Sequence, residues 1–421
     1  MAVDWPPQPL GKLVQNFDSR RVPLSSRERE KRRGRFPYHG ATGVMDYIDD
    51  FLFEGLHLLV GEDGSVETTD GNPFLQLVDG RFWVNNHAHV LKGKTDVETW
   101  FIYYALSTVA IRPFMSGSVQ AKLSQGNLNR IPISYPPQES TRLAITHILG
   151  TLDDKIELNR RMNATLEAMA RALFQSWFVD FDPVRAKLDG RPPAALDPAT
   201  AALFPASFQD SEVGHIPNGW KFGKVGDLAS LNRGAVNPGD FPMEMFDHFS
   251  LPAFDNGRTP KMELGSAIMS NKFTVTPNSV LLSKLNPHIP RIWLPDLHAS
   301  RRSVCSTEFM VACSKPGVSR EYLFSLFTSS AFASVYGTLV TGTTGSHQRI
   351  RPESVLDMKT VIPPPALIRA FTDIAKPMFD RINRNTEQSR TLAKLRDTLL
   401  PKLLSGELSV ADTTLTTGAN L

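Results

Sequence analysis

The sequence has few of the features that mark an enzyme, a secreted protein or a membrane protein. Its 421 residues include only two cysteines, too few for a disulfide framework or for a zinc site with four cysteine ligands. No apolar run approaches the roughly 18 residues of a membrane span, and the N-terminus lacks a signal-peptide pattern. The formal net charge is only +3, which permits nucleic-acid binding without demonstrating it. We therefore expect a cytoplasmic protein with reduced thiols.

Catalytic motifs are also missing. Gly93-Lys94-Thr95 has no upstream glycine to complete a phosphate-binding loop. Tyr135-Pro136-Pro137 lacks the Asn or Asp of an amino-methyltransferase catalytic loop. His87 and His89 alternate onto one face of a predicted strand, but no third ligand is spaced to complete a metal site, so hydrogen-bonded histidines are the better interpretation. The sequence predicts neither a catalytic residue nor a metal site.

What the chain does contain is a long heptad pattern within residues 138–178. Apolar or small residues recur there with alternating spacings of four and three, at Ile145, Leu149, Leu152, Ile156, Leu166, Ala170, Leu173 and Trp177. A repeat of 3.5 residues held over several heptads indicates a coiled-coil seam, which needs a partner helix.

The partner is a second copy of the same pattern further along the chain. Asn159 aligns with Asn385 and Leu173 with Leu399. Upstream of the helices, the polar segment 117–120 aligns with 345–348, and Pro136-Pro137 aligns with Pro364-Pro365. The chain is therefore predicted to be a tandem duplication of a globular part, a Pro-Pro stop and a long helix.

Asn159 and Asn385 occupy the middle of their respective helices. Antiparallel packing about a pseudo-two-fold axis would bring them face to face, where a polar seam residue fixes the register. The alternative, in which each asparagine tips into solvent, stays open. Ser389 and Arg396 are the weaker steps of the second seam, and we expect Pro377 to kink or delay its first turns.

Two polar loops recur with the duplication. Their side chains carry the amide, hydroxyl and cationic groups that read bases or hold phosphates in DNA. The first loop holds Gln120, Lys122, Ser124, Gln125 and Asn127, and the second holds Thr343, Thr344, Ser346, His347, Gln348 and Arg349. Further candidates are Lys92, Lys94, Lys284, Asn286, His288, Arg301 and Arg302. Ordinary loop capping and solvation is the competing interpretation of each residue taken singly.

The sequence closely resembles the specificity (S) subunits of type I restriction-modification enzymes. The resemblance covers nearly the whole chain and is carried by residues 82–93, 117–128, 153–187, 285–293, 305–309, 342–350 and 399–408. It implies a non-catalytic subunit in which each of two target-recognition domains reads one half of a split DNA site, while the helices set the gap. It also implies docking of two modification (methyltransferase) subunits and possibly of two restriction (translocase and nuclease) subunits. S-adenosylmethionine and ATP-Mg would belong to those partners.

The expected fold is α+β, with two mixed-sheet domains separated by two long helices that pack as an antiparallel coiled coil. The predicted divisions are target-recognition domain 1 (1–137), a long helix (138–180), a connector (181–218), target-recognition domain 2 (219–365), a second long helix (366–406) and a tail (407–421).

Two other functions compete with this interpretation. A methyltransferase or nuclease with its own recognition domains is disfavoured because the catalytic motifs are missing, and a coiled-coil scaffold without a DNA role would show no salt-dependent DNA binding.

Overall fold

The computed structural model describes residues 5–64, 66–117, 121–341 and 348–410. The chain divides into two compact units, the first comprising residues 1–158 and 388–421 and the second comprising residues 159–387. The predicted site residues Gln120, Thr343, Thr344, Ser346 and His347 lie outside the described residues.

The first unit combines three sheets with short helices. Its strands are β1 (Pro7–Pro9), β2 (Val14–Asn16), β3 (Arg33–Gly40), β4 (Gly43–Ile48), β5 (Phe53–Glu54), β6 (His57–Gly61), β7 (Leu75–Val78), β8 (Arg81–Val84), β9 (Ala88–Gly93) and β10 (Pro132–Ser134). Its helices are α1 (Ser26–Lys31), α2 (Asp96–Leu106), α3 (Gln125–Asn129) and the first half of α4 (Glu139–Phe178). The sheet orders are β4-β3-β8-β5, β2-β9-β6-β7 and β1-β10. Only β3 and β8 pair in parallel among these strands, so the unit is of mixed topology.

The core of the first unit explains its apolar sequence runs. Strand β6 is buried along its whole length, because the side chains of Leu58 and Val60 face α2 while Leu59 faces a second cluster with Phe82. A strand covered on both faces reads as a continuous apolar run rather than an alternating one. Helix α2 starts where the Thr95 hydroxyl accepts a hydrogen bond from the Glu98 N–H at 3.2 Å, which satisfies one of the free donors of its first turn.

The second unit repeats this organisation with additional short strands. Its strands are β11 (Phe208–Ser211), β12 (Gly214–Pro217), β13 (Lys221–Lys224), β14 (Ala229–Asn232), β15 (Ala235–Val236), β16 (Met245–Phe249), β17 (Lys261–Leu264), β18 (Lys272–Thr274), β19 (Ser279–Ser283), β20 (Ile292–Trp293), β21 (Arg302–Cys305), β22 (Phe309–Ser314), β23 (Val340–Thr341), β24 (Arg349–Ile350) and β25 (Lys359–Ile362). Its helices are the second half of α4, then α5 (Asp182–Leu188), α6 (Pro198–Ala202), α7 (Val225–Leu228), α8 (Leu251–Asp255), α9 (Arg320–Thr328), α10 (Ser330–Tyr336), α11 (Pro352–Leu356) and the first half of α12 (Pro365–Leu404). The two larger sheets have the orders β14-β22-β19-β20 and β15-β18-β21-β16-β17.

Helices α4 and α12 have 40 residues each, and each contributes to both units. In the first unit, Ile145 and Leu149 of α4 share a core with Leu403 of α12. In the second unit, Phe174 of α4 contacts Phe371 of α12, with ring centroids 5.8 Å apart. In the second unit Asn159 of α4 contacts Asn385 of α12, and further along α4 Phe174 contacts the earlier residue Phe371, so the helices run antiparallel. The predicted α+β fold with two long packed helices is confirmed.

Of the two effects expected of Pro377, a kink or a delay in the first turns of α12, the delay is wrong. The helix begins at Pro365 and continues through Pro377, so Pro377 does not delay its start. Phe371 and Ala375 before the proline and Phe379 after it are all buried in the core of the second unit. Tertiary packing on both sides offsets the lost backbone hydrogen bond. In the described part of the chain, none of the helices has the length and apolarity needed to cross a membrane.

Candidate functional site

Three asparagines meet where α4 and α12 pack together in the second unit. The Asn385 side-chain amide donates to Asn163 Oδ1 at 2.9 Å, and the Asn159 amide donates to the Asn385 backbone carbonyl at 3.3 Å. Asn163 also donates to the Thr386 hydroxyl at 3.2 Å. Asn159 and Asn385 are both buried. The structure therefore brings the two predicted asparagines together at the helix interface, and Asn163 joins them as a third partner.

A charged cluster occupies the seam in the first unit. Arg396 of α12 donates to Asp153 Oδ1 of α4 at 2.6 Å, and the Tyr104 hydroxyl of α2 donates to Asp153 Oδ2 at 2.8 Å. Burial, followed by the charge of Asp153, raises the pKa of Tyr104, so the phenol stays protonated as a donor. Arg396 is thus a weak step of the apolar seam, but it ties α12 to Asp153 of α4, and Asp153 in turn ties α4 to Tyr104 of α2.

The first polar loop is held against Glu62 and Asp63, which directly follow the end of β6. Lys122 forms backbone bridges to Asp63 and Ser116, and its ammonium lies 3.0 Å from Glu62 Oε1. The next residue, Leu123, donates its N–H to the Glu62 carbonyl at 2.8 Å. The hydrogen bond to Glu62 raises the pKa of Lys122. In this structure Lys122 is therefore a cation that already has a partner.

Behind this loop lies a buried network that sequence analysis missed. His89 presents one ring nitrogen to Asp18 Oδ2 at 2.6 Å and the other to the Leu123 carbonyl at 2.8 Å. Arg21 donates to Glu62 Oε2 at 2.6 Å. Burial would raise the pKa of Asp18, but the hydrogen bond and charge of His89 and the Val90 N–H outweigh burial and lower it.

Asp18, Glu62 and His89 place one ligand atom each within 4.8 Å of one another, a separation that a metal ion could bridge. Arg21 and Lys122 already contact Glu62, so the arrangement is chemically that of an ion-pair network. His87 is exposed outside β9 and contacts Asp63, so the expectation that His87 and His89 share a strand face is wrong.

The end of the first loop is helical. Residues Gln125–Asn129 form α3, and the Ser124 hydroxyl caps it by accepting from the Asn127 N–H at 3.3 Å. Leu128 fills the core, while Gln125 is exposed and Asn127 is half-buried. The predicted residues 122–127 are thus brought together at one edge of the first unit, with Ser124 engaged in capping.

The second loop has an equivalent anchor in the second unit. The Arg349 guanidinium donates to Glu308 Oε1 at 2.7 Å. The Asn286 N–H donates to the Gln348 carbonyl at 2.9 Å, and the Ile350 N–H donates to the Lys284 carbonyl at 3.0 Å. Each loop therefore holds a basic residue, Lys122 or Arg349, against a carboxylate of the neighbouring sheet.

The other predicted residues either pair elsewhere or lie at the surface. Arg301 donates to the buried Asp247 at 2.8 Å. Arg302 pairs with Glu244 and lies over Phe241, with its guanidinium carbon 4.0 Å from the ring centroid. Lys92, Lys94 and His288 are half-buried or exposed on the surface, and Lys92 lies 3.7 Å from Asp96. The structure brings Lys284, Asn286, Gln348 and Arg349 together and ties Arg301 and Arg302 to the β16 region.

Two similar mixed-sheet units, each with a polar loop and both sharing long helices, define a duplicated α+β protein. Comparison with known proteins agrees. Residues 3–168 match the family model described as the type I restriction modification DNA specificity domain. This match, over somewhat more than a third of the chain, confirms the predicted resemblance to type I restriction-modification specificity subunits.

Individual relatives support this assignment. A putative type I restriction enzyme specificity subunit of Haemophilus influenzae is 36% identical over 150 residues, covering 36% of this chain and 37% of the relative. The MjaIX specificity subunit of Methanocaldococcus jannaschii is 25% identical over 343 residues, covering 76% of this chain and 71% of the relative. The match to the H. influenzae protein thus spans little more than a third of that relative's length. All are named specificity subunits rather than methyltransferases or nucleases, in agreement with the prediction that this chain is not an enzyme.

A solved structure has the same fold. The S subunit of a type I restriction-modification system from M. genitalium superposes with a TM-score of 0.58 at 13% identity, covering 95% of this chain and 96% of that one. At this identity the likeness establishes the fold alone.

Proposed function

We propose that each unit reads one half of a bipartite site in duplex DNA. The observation that carries this proposal is the recurrence of a polar loop anchored in the same way in both units, in a chain whose first unit matches a DNA specificity domain. Because the loop residues differ between the units, the two half-sites would have different sequences. The spacer between them would depend on the long helices that both units share.

Within each loop, Lys122 and Arg349 act as positioning residues in this proposal. Lys122 is paired with Glu62 and Arg349 with Glu308. If either cation left its carboxylate to bind a base, that negative carboxylate would be left unpaired and facing the DNA. The amides of Gln125, Asn127 and Gln348 carry no such charge cost and have the donor and acceptor pair that matches adenine N6 and N7. We assign base reading to these amides and loop orientation to the two cations.

The chain would work within a larger complex. Its relatives are named as subunits of restriction enzymes, and we propose that two modification subunits and possibly two restriction subunits assemble with it. In this proposal S-adenosylmethionine and ATP-Mg bind those partners, and the present chain contributes recognition and docking surfaces.

Selection of binding sites from a random duplex library tests the proposal. The wild-type chain should enrich a split motif, and Gln348→Ala should relax one half of it while leaving the other half intact. A matched change in the first loop, Gln125→Ala, should relax the opposite half. Enrichment of a single undivided motif would contradict the assignment of one half-site to each unit.

A further inference from the structure

The hairpin of β3 and β4, together with α1, presents cations that form no salt bridge within the described residues, although Arg33 lies close enough to Asp46 to interact with its charge and the Arg35 guanidinium carbon lies 5.0 Å from the Phe36 ring centroid. Within the described residues, Arg27, Lys31, Arg33 and Arg35 are exposed and form none of the salt bridges of this segment. Their neighbours Arg29 and Arg32 differ, since they pair with Asp46 and with Asp49 and Asp50. The basic residues of this segment therefore fall into two groups. Arg29 and Arg32 form ion pairs within the segment, and the four exposed cations form none, so their charge is accessible to a ligand.

The backbone keeps two of these arginines at the surface. Arg33 and Phe36 both pair with Ile48, so Gly34 and Arg35 form an irregularity in the ladder. A Cβ on Gly34 would lie 2.4 Å from the Ile48 carbonyl oxygen and from the Asp49 Cα. Glycine therefore lets β3 approach β4 closely while its exposed neighbours Arg33 and Arg35 flank the contact.

The outer strand of the hairpin adds exposed apolar side chains. Val44, Met45 and Tyr47 on β4 are 46%, 56% and 55% exposed. The second unit has the same feature at the equivalent place. In the first unit β3 pairs antiparallel with the edge strand β4 and parallel with β8. In the second unit β16 pairs in the same way, antiparallel with the edge strand β17 and parallel with β21. Met262 on β17 is 60% exposed. Both copies of the fold thus leave an apolar side chain on this edge strand.

We propose that the β3–β4 hairpin and α1 form a second DNA contact, distinct from the polar loop, in which Arg33 and Arg35 bind backbone phosphates with support from Arg27 and Lys31. Tyr47 packs against the sugars beside them. A two-stranded ribbon fits the major groove, and unpaired arginines match a row of phosphates. The inference rests on the proposed function, and it adds a surface that fixes the position of the duplex on the first unit.

The test uses the full-length chain and a fluorescein-labelled 30-base-pair duplex of random sequence, with anisotropy measured between 50 and 200 mM KCl. The slope of log K against log salt is negative, and each lost phosphate contact makes it shallower by about 0.9. The double variant Arg33→Gln/Arg35→Gln should therefore have a slope that is shallower by about 1.8. Arg33→Lys/Arg35→Lys keeps the charge and should keep the slope. Tyr47→Ala should weaken binding severalfold without changing the slope, because it removes an uncharged contact.

The control removes the same formal charge from paired arginines. Arg112 pairs with Glu67 and Arg191 with Asp189, so Arg112→Gln/Arg191→Gln should keep the wild-type slope. If Arg33→Gln/Arg35→Gln kept the wild-type slope, the hairpin proposal would be overturned, and a partner protein would be the ligand to test on this surface. If the wild-type chain itself showed no salt-dependent binding, the proposed function would fail instead.

Discussion

Replacing Arg396 tests whether the charged cluster in the helix seam stabilises the first unit. The Arg396 and Asp153 side chains are 29% and 22% exposed, so their ion pair is neither fully solvated nor fully buried. Exposed pairs contribute about 0.2–1 kcal/mol and hydrogen bonds to charged groups about 1.5–3 kcal/mol. For this intermediate case we expect a coupling free energy of about 1–2 kcal/mol between the two residues.

The single variants should differ in a defined order. Asp153→Ala removes one of the two carboxylate partners of Arg396, which also pairs with Asp397, and it removes the acceptor of the Tyr104 hydroxyl, whose residue is only 2% exposed. An unsatisfied buried donor costs about 1–3 kcal/mol in addition, which gives a total loss of about 2–4 kcal/mol. Arg396→Met retains the aliphatic stem and leaves the Tyr104 bond intact, so it should cost less, about 1–2 kcal/mol.

The assay is urea unfolding of the full chain, followed by circular dichroism and tryptophan fluorescence for both single variants and the double variant. Lys376→Met is the matched control, since Lys376 pairs with Asp380 on the exposed surface of α12 and its loss should cost under about 1 kcal/mol. A coupling below about 0.3 kcal/mol, or an Arg396→Met variant more costly than Asp153→Ala, would refute this account of the cluster.

Three further outcomes follow from the geometry. Asn385→Leu should destabilise the helix pair by about 1–3 kcal/mol because the Asn163 side-chain oxygen loses the buried amide that donates to it. In urea unfolding, the double variant Asn163→Leu/Asn385→Leu should recover part of that loss. A double variant less stable than the sum of the two single effects would contradict this. Burial holds the pKa of His57 below 6.5. The contribution of neutral His57 to stability is therefore complete above pH 6.5 and is lost as the pH falls through the pKa of the folded state. The urea midpoint should drop between about pH 7.5 and 5.5, and it should drop less in His57→Phe. Glu308→Gln removes the carboxylate that pairs with Arg349 and should steepen the salt slope of non-specific duplex binding by up to about 0.9, whereas Glu353→Gln, which removes the carboxylate paired with the exposed Arg233, should leave it unchanged.

The long helices were predictable because their signature is local and periodic. Heptad spacing and the aligned Asn159 and Asn385 were enough to predict two long helices that pack on each other. The delay expected at Pro377 is wrong because the burial of Phe371 and Phe379 holds α12 on both sides of the proline, which no local pattern reveals. Propensity is a weak prior where tertiary packing is strong.

The candidate site was predictable only as a set of residue types. Side chains of the first loop were found from the repeat, but the network behind it joins Asp18, Glu62 and His89, which are far apart in sequence and meet only through the pairing of β2, β6 and β9. The carboxylate partners of Lys122 and Arg349 were hidden for the same reason. Whether the predicted residues read bases stays a prediction.

The central claim is that two different readers lie in one chain. Its most direct test is to map N6-methyladenine in a host genome that carries this chain together with the modification subunit proposed to assemble with it, comparing the wild type with Gln348→Ala/Arg349→Ala. The account predicts a bipartite methylated motif that becomes degenerate in one half and keeps the other half unchanged. Degeneracy in both halves, or an undivided motif in the wild type, would contradict it.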